Sequence, residues 1–336
     1  MLVRLLLFTV FISVAASACA QRNLEIGVSA GVTQYYGDLG NWDSQVQWNS
    51  TRPAMSLTFR DFFNNPKRYV TRSITMEGRI SWFRIGYNES APTNGLKGPQ
   101  LHNWNRGLNF RTDLVGASAH LVLNAYREPF TPLFKQRFFM FFYMGAGIYH
   151  GRPKADLFRG DISPDNKYYF WDDGSIRDAP RGTPGAQEVE QDGKYETDLY
   201  SWVTEGRGKG RNRSIVQRQS PWHVGIPMGL GVRYMITRKL SIGAEFSYYM
   251  FLTDMLDNVS EHYATYDELG GVYADSTQQF LARYISDPTG YGTNGTATGG
   301  TSARGNPGLP DNFSYLAFEV SYKFRRSPGR KNFMSF

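Results

Sequence analysis

From Ser314 to Phe324 apolar and polar or small residues alternate without a break: Leu316, Phe318, Val320, Tyr322 and Phe324 on one parity, Tyr315, Ala317, Glu319, Ser321 and Lys323 on the other. Successive side chains of an extended strand point to opposite faces, so this segment has one face suited to lipid and one suited to a polar interior. A helical period cannot sort these residues that way. Leu240 to Met250 repeats the pattern, with Leu240, Ile242, Ala244, Phe246, Tyr248 and Met250 outward. Val224 to Tyr234 does so again and puts Gly225, Gly229 and Gly231 inward, where they relieve crowding in a narrow barrel.

Five further segments read as strands: Leu24–Tyr36, Ala54–Phe62, Ser73–Tyr87, Asn109–Tyr126 and Phe138–His150. Together they predict an all-β fold, a transmembrane antiparallel up-and-down β-barrel of about eight strands with long extracellular loops. The 23 Phe and 21 Tyr suit such walls, because aromatic rings are strand formers that tolerate a half-lipid surface. No apolar run beyond the N-terminus reaches the roughly 20 residues a spanning helix needs, which excludes a helical membrane protein.

The N-terminus carries Arg4, an apolar stretch from Leu5 to Ala16 and the small residues Ser17-Ala18-Cys19-Ala20, which together read as a secretory signal peptide. This divides the chain into a signal peptide at 1–20, a barrel at 21–326 with long loops at 151–222 and 253–312, and a periplasmic C-terminal tail at 327–336. Ala16-Ser17-Ala18-Cys19 loosely resembles a lipoprotein box, but Ala16 stands where leucine is preferred. Cleavage after Ala20 removes the only cysteine and with it any disulfide or thiolate metal site. The connections alternate short and long. Barrels of this class keep short turns on the periplasmic side, so the turns near Pro66, Pro132 and Arg238, with both termini, are expected there. The long loops, rich in Gly, Asp, Asn, Pro and Arg, are expected to be mobile or locally structured rather than to form another core.

The inward charges are Glu25, Glu77, Glu245 and Glu319 against Arg60, Arg79, Arg233 and Lys323. An eight-stranded barrel is only just wide enough for its own side chains, and charges inside it must be paired to offset desolvation. The expectation is a salt-bridged plug rather than a pore. His120 shares the inward face with Ser118, but no nucleophile motif accompanies them, and His102, His150, His223 and His262 lie at strand ends or in loops, so no catalytic set is assigned. Asp254 and Asp257 in a loop lack calcium-loop spacing, and no metal or cofactor is expected. The formal net charge of +7 points to anionic partners, which for an exported barrel are lipopolysaccharide phosphates rather than nucleic acid. The Arg207–Arg213 run would meet such phosphates or form a solvated loop. Candidate partner-binding residues at the turns and tail are Pro66, Lys67, Arg68, Arg238, Lys239, Arg325, Arg326, Arg330 and Lys331.

Several segments in order resemble PorG-like outer-membrane barrels of the type IX secretion system. They are Glu25-Ile26-Gly27-Val28 with Tyr36-Gly37-Asp38-Leu39, Leu108-Asn109-Phe110-Arg111-Thr112-Asp113, and Tyr143 to His150 with Pro153-Lys154-Ala155. Ile226 to Val232, Thr237-Arg238-Lys239-Leu240, and the Thr253-Asp254 to Asp257-Asn258-Val259-Ser260 segment continue the series. The resemblance implies a non-enzymatic anchor that ties the machine's periplasmic ring, a lipoprotein and its partner, to the outer membrane. The final strand, ending Tyr322-Lys323-Phe324, also resembles the signal read by the barrel-assembly machinery. The alternatives are a stand-alone surface barrel contacting lipopolysaccharide or external partners, and a lipid-modifying barrel enzyme.

Overall fold

A computed structural model describes residues 23–40, 48–62, 73–91, 99–125, 137–206, 219–293 and 303–325. The signal segment with Cys19, the turns at Pro66, Lys67, Arg68 and Pro132, the Arg207–Arg213 run, and Arg326, Arg330 and Lys331 lie outside them.

Eight long strands form the wall: β1 (Asn23–Tyr36), β2 (Arg52–Phe62), β3 (Ile74–Asn88), β4 (Asn109–Asn124), β5 (Phe138–His150), β6 (Trp222–Met235), β7 (Leu240–Phe251) and β8 (Asn312–Arg325). Each pairs antiparallel with its sequence neighbour, and β1 pairs with β8 from Asn23↔Arg325 to Tyr36↔Asn312, so the sheet closes and no long edge remains. Pro227 cannot donate to a ladder, and the β5–β6 pairing skips Ile226 and Pro227 while keeping its register on either side.

The alternation sorts residues as the pleat requires. Val28, Met55, Ile80, Leu121, Phe142, Leu230, Phe246 and Phe318, one from each strand, all face outward and exposed, Phe318 at 74 %. An apolar girdle that runs right round a closed barrel far exceeds any patch a water-soluble monomer displays, and it is stable only against lipid. No helix among the described residues is long and apolar enough to cross a membrane.

The inner face is graded. Toward the end with short turns it carries charges, and toward the end with long loops it carries rings: Phe83, Tyr149, Tyr249, Phe313 and Tyr315 pack together, Tyr249 stacked on Phe313 at 4.7 Å between centroids. Room for the rings comes from β6. A Cβ at Gly229 would lie 2.6 Å from the Tyr143 ring and one at Gly231 2.5 Å from Phe141.

The long loops correct the sequence expectation, because they build a folded cap with cores of its own. It contains helices α1 (Pro99–Arg106), α2 (Tyr266–Val272) and α3 (Ser276–Ser286), and short strand pairs such as Glu205–Gly206 with His262–Tyr263. Thr265 and Glu268 form a reciprocal capping box at the start of α2, and the Asp275 side chain caps α3. Trp104, Tyr168, Phe170 and Ile176 form one buried cluster, and Ala264, Leu269 and Ala282 another. Leu157, Phe158, Leu199, Leu256 and Ile285 join the barrel's ring layer in a continuous core, so the cap seats on the barrel.

Gly229→Leu is expected to destabilise the barrel by roughly 1–3 kcal/mol through overpacking against Tyr143. Gly78→Ala, whose Cβ would meet nothing within 4 Å, serves as the control. The check is the temperature at which each variant loses the fast electrophoretic migration of a folded barrel, with only Gly229→Leu shifted downward.

Candidate functional site

The strand registers set one row of charge across five neighbouring strands. Lys323 lies opposite Glu25, Glu25 opposite Arg60, Arg60 opposite Glu77, and Glu77 opposite His120. Opposite residues on one face of a sheet are close enough for their side chains to interact directly.

Arg60 is the hub. Its Nε donates to Glu77 Oε2 at 2.6 Å, and its Nη1 donates to Glu25 Oε1 at 3.0 Å and to Glu319 Oε1 at 2.7 Å. Its Nη2 completes a fork onto Glu319 Oε2. Arg79 makes a second fork, donating to Glu245 Oε1 at 2.6 Å and Oε2 at 3.0 Å, and reaches Glu77 Oε1 at 2.8 Å. Arg233 is held more loosely, 3.7 Å from Glu319 and 4.0 Å from Glu25, with its guanidinium 4.6 Å from the Phe141 ring centroid. Lys323 is buried on the same face at the turn end. All eight inward charges named from the sequence are buried, four of each sign.

Balanced and forked, these groups fill the lumen at one level while the ring layer fills it at the next. His120 Nδ1 lies 3.0 Å from Glu77 Oε1, so its partner is this network rather than Ser118.

Above the rings, the cap is tied down by residues to which sequence reasoning gave no such role. Arg106 at the end of α1 donates to Glu89 at 2.8 Å, to the Arg304 carbonyl at 3.1 Å and to the Asp38 carbonyl at 2.9 Å, which joins three of the long connections. Arg304 donates to Glu205 Oε1 at 3.1 Å and to the Asn258 carbonyl. The Tyr35 hydroxyl lies 2.6 Å from Asp257 Oδ2 and 2.8 Å from Asp311 Oδ1. One hydroxyl has one proton to donate, so the second contact is satisfied when a carboxyl is itself protonated. Burial, with the neighbouring carboxylate adding to it, holds both Asp257 and Asp311 well above the usual range. Asp257 Oδ1 also accepts from the Val259 N–H, so the acidic segment after β7, weighed above as a calcium loop, is a clasp between cap and barrel. Asp254 is pushed up to about 7 and Asp38 to about 6, chiefly by burial and then by neighbouring carboxylates.

No family profile and no curated protein matches the chain. The fold is similar to that of solved barrels at low identity. The attachment invasion locus protein Ail of Yersinia pestis is 8 % identical with a TM-score of 0.32, covering 90 % of this chain and 99 % of its own. Neisserial surface protein A is 11 % identical at TM-score 0.32, covering 90 % and 100 %. OprG of Pseudomonas aeruginosa is 9 % identical at TM-score 0.36, covering 91 % and 97 %. The fold assignment rests on the closed strand ladder rather than on these likenesses.

The raised carboxyls give the cap a pH dependence of definite sign. Asp38, Asp254, Asp257 and Asp311 keep protons in the folded state that an unfolded segment, with carboxyls near 3.8, has released. Their contribution is complete below that value and is lost as pH rises through the folded values, so the cap weakens from about pH 4 upward. Limited proteolysis is expected to cut the 252–311 segment faster at about pH 8 than at about pH 5, with Asp254→Asn flattening the difference. Resistance that rises with pH would contradict this.

Proposed function

We propose that the protein is a non-enzymatic β-barrel of a bacterial outer membrane that serves as a fixed anchor for the periplasmic ring of the type IX secretion machine. The observation that carries this reading is the filled lumen. A barrel whose bore is occupied by forked ion pairs and then by packed rings transports nothing through itself, so its work falls to its outer surfaces. The girdle is the membrane-facing one. The outer membrane is the bilayer in which closed barrels with short turns at one end and long loops at the other reside, and the short-turn end would face the periplasm.

That end concentrates cations. Arg238 and Lys239 are exposed in the tight β6–β7 turn, and the Lys239 ammonium stands 6.0 Å from the Tyr322 ring at the foot of β8. In this reading they act with Pro66, Lys67, Arg68, Arg325, Arg326, Arg330 and Lys331 as a basic surface complementary to an acidic face of the ring's lipoprotein or its partner, charge contributing chiefly to encounter and specificity. The choice of ring as partner comes from the resemblance noted in the sequence. The second reading, a stand-alone surface barrel contacting lipopolysaccharide or an external partner, is favoured by the folded cap, which is larger than loops need to be to close a barrel.

Reversing Arg238 and Lys239 to Glu and removing the chain from Arg326 onward is expected to abolish copurification of ring proteins and to depress secretion, while the barrel still assembles and migrates as folded. Normal secretion in that variant, together with loss of function on trimming the cap, would move the function to the opposite end.

A further inference from the structure

In the cap, the segment after the short strand Pro153–Ala155 meets the turn before the short strand Thr197–Asp198, and the two strands pair. There Asp156, Asp192 and Glu196 each bring a carboxylate oxygen to within 4.8 Å of the others. Ionised carboxylates repel at that range, and something must offset the repulsion.

The protein's own groups offset it only in part. The Gly193 N–H donates to Asp156 Oδ2 at 2.7 Å, and the Leu157 and Phe158 N–H groups both donate to Glu196 Oε1 at 3.0 Å. Asp156 is only 3 % exposed, yet its Oδ1 has no hydrogen-bond partner, nor does the buried Glu196 Oε2. Leaving a buried carboxylate oxygen without a donor is costly, and native structures avoid it unless an ion or water supplies the missing contact. Of the positive groups nearby, Lys194 is largely exposed and reaches only Asp192 Oδ2, at 3.3 Å, and the Arg111 guanidinium lies over the Tyr195 ring.

We propose that Asp156, Asp192 and Glu196 form a calcium site that staples the two halves of the long β5–β6 connection together on the cap. The donor set is all oxygen, without His or Cys, which selects a hard cation over zinc or copper. Calcium is favoured over magnesium because it accepts an irregular oxygen shell at about 2.3–2.6 Å, whereas magnesium demands a near-octahedral shell of about 2.1 Å and gives up its waters reluctantly. Three carboxylates with the remaining positions left to water match the weaker sites of extracellular modules, with dissociation constants of about 0.1–1 mM.

Terbium stands in for calcium as a luminescent probe, and Tyr168 is placed to sensitise it, its hydroxyl accepting from the Asp192 N–H at 2.9 Å. The purified full chain in detergent, freed of metal, is titrated with terbium under excitation of tyrosine and then challenged with calcium or magnesium. The expected result is saturable luminescence that calcium displaces and equal magnesium does not. Asp192→Asn and Glu196→Gln should each weaken it by about tenfold or more, while Asp173→Asn, an exposed acid outside the cluster, should leave it unchanged. Folded-barrel migration confirms that each variant is intact. Absence of saturable binding up to about 10 mM calcium or its terbium equivalent, or affinity unaltered in both cluster variants, would overturn the proposal.

Discussion

Arg60 receives three carboxylates from three other strands, and the rest of the barrel is arranged so that it can. Its guanidinium is fully buried in a narrow lumen with every nitrogen donating to a carboxylate, and removing one partner of such a set costs roughly 3–5 kcal/mol because the others are left charged and dry. Those partners lie in register. Glu25 and Glu77 are Arg60's direct neighbours on β1 and β3, and β8 supplies Glu319 only because it pairs with β1 to close the wall. A slip of one residue on any of these strands would send its charge into the lipid and its apolar row into the lumen. Closure, register and occlusion are therefore one constraint seen three ways.

The same economy of space governs the rings that line the bore. β6 gives up side chains at Gly225, Gly229 and Gly231, and the rings of Tyr149, Tyr143 and Phe141 occupy what it yields. The ring layer above the charges ends in Tyr35, Phe83 and Phe313, and onto it settle aliphatic residues from all four long connections. The cap is thus an extension of the barrel's core past the membrane girdle. Its polar ties, Arg106 to Glu89 and Tyr35 to Asp257 and Asp311, are laid over that apolar seat.

The wall was legible because each strand is read by two solvents at once. Lipid outside and a packed polar lumen inside impose a period of two that survives in single segments, so Phe138–His150 agrees to the residue and the other strands to within about two. Alternation also put Glu25, Arg60, Glu77 and Glu319 on the inner face, but it could not reveal which carboxylate meets which guanidinium, or that Arg233 lies over the Phe141 ring as well as loosely against Glu319. The cap left no periodic trace. Trp104, Tyr168 and Ile176 are scattered across two connections and come together only in the fold. Asp156 and Glu196 look in sequence like ordinary loop acids, and only burial and proximity distinguish them. One local signal was there to be read: Thr265 followed by Glu268 marks a helix start, and α2 begins there.

The central claim, that the bore is closed by its own side chains, is tested most directly by electrical recording. Purified full-length protein is inserted into a planar lipid bilayer in molar salt and its conductance is followed under a steady potential. The account predicts a silent bilayer despite demonstrated insertion, because no continuous water path runs past Arg60, Arg79 and the rings. Stable, uniform channel openings from the folded barrel would contradict it and would turn the interior charges from a plug into the lining of a pore.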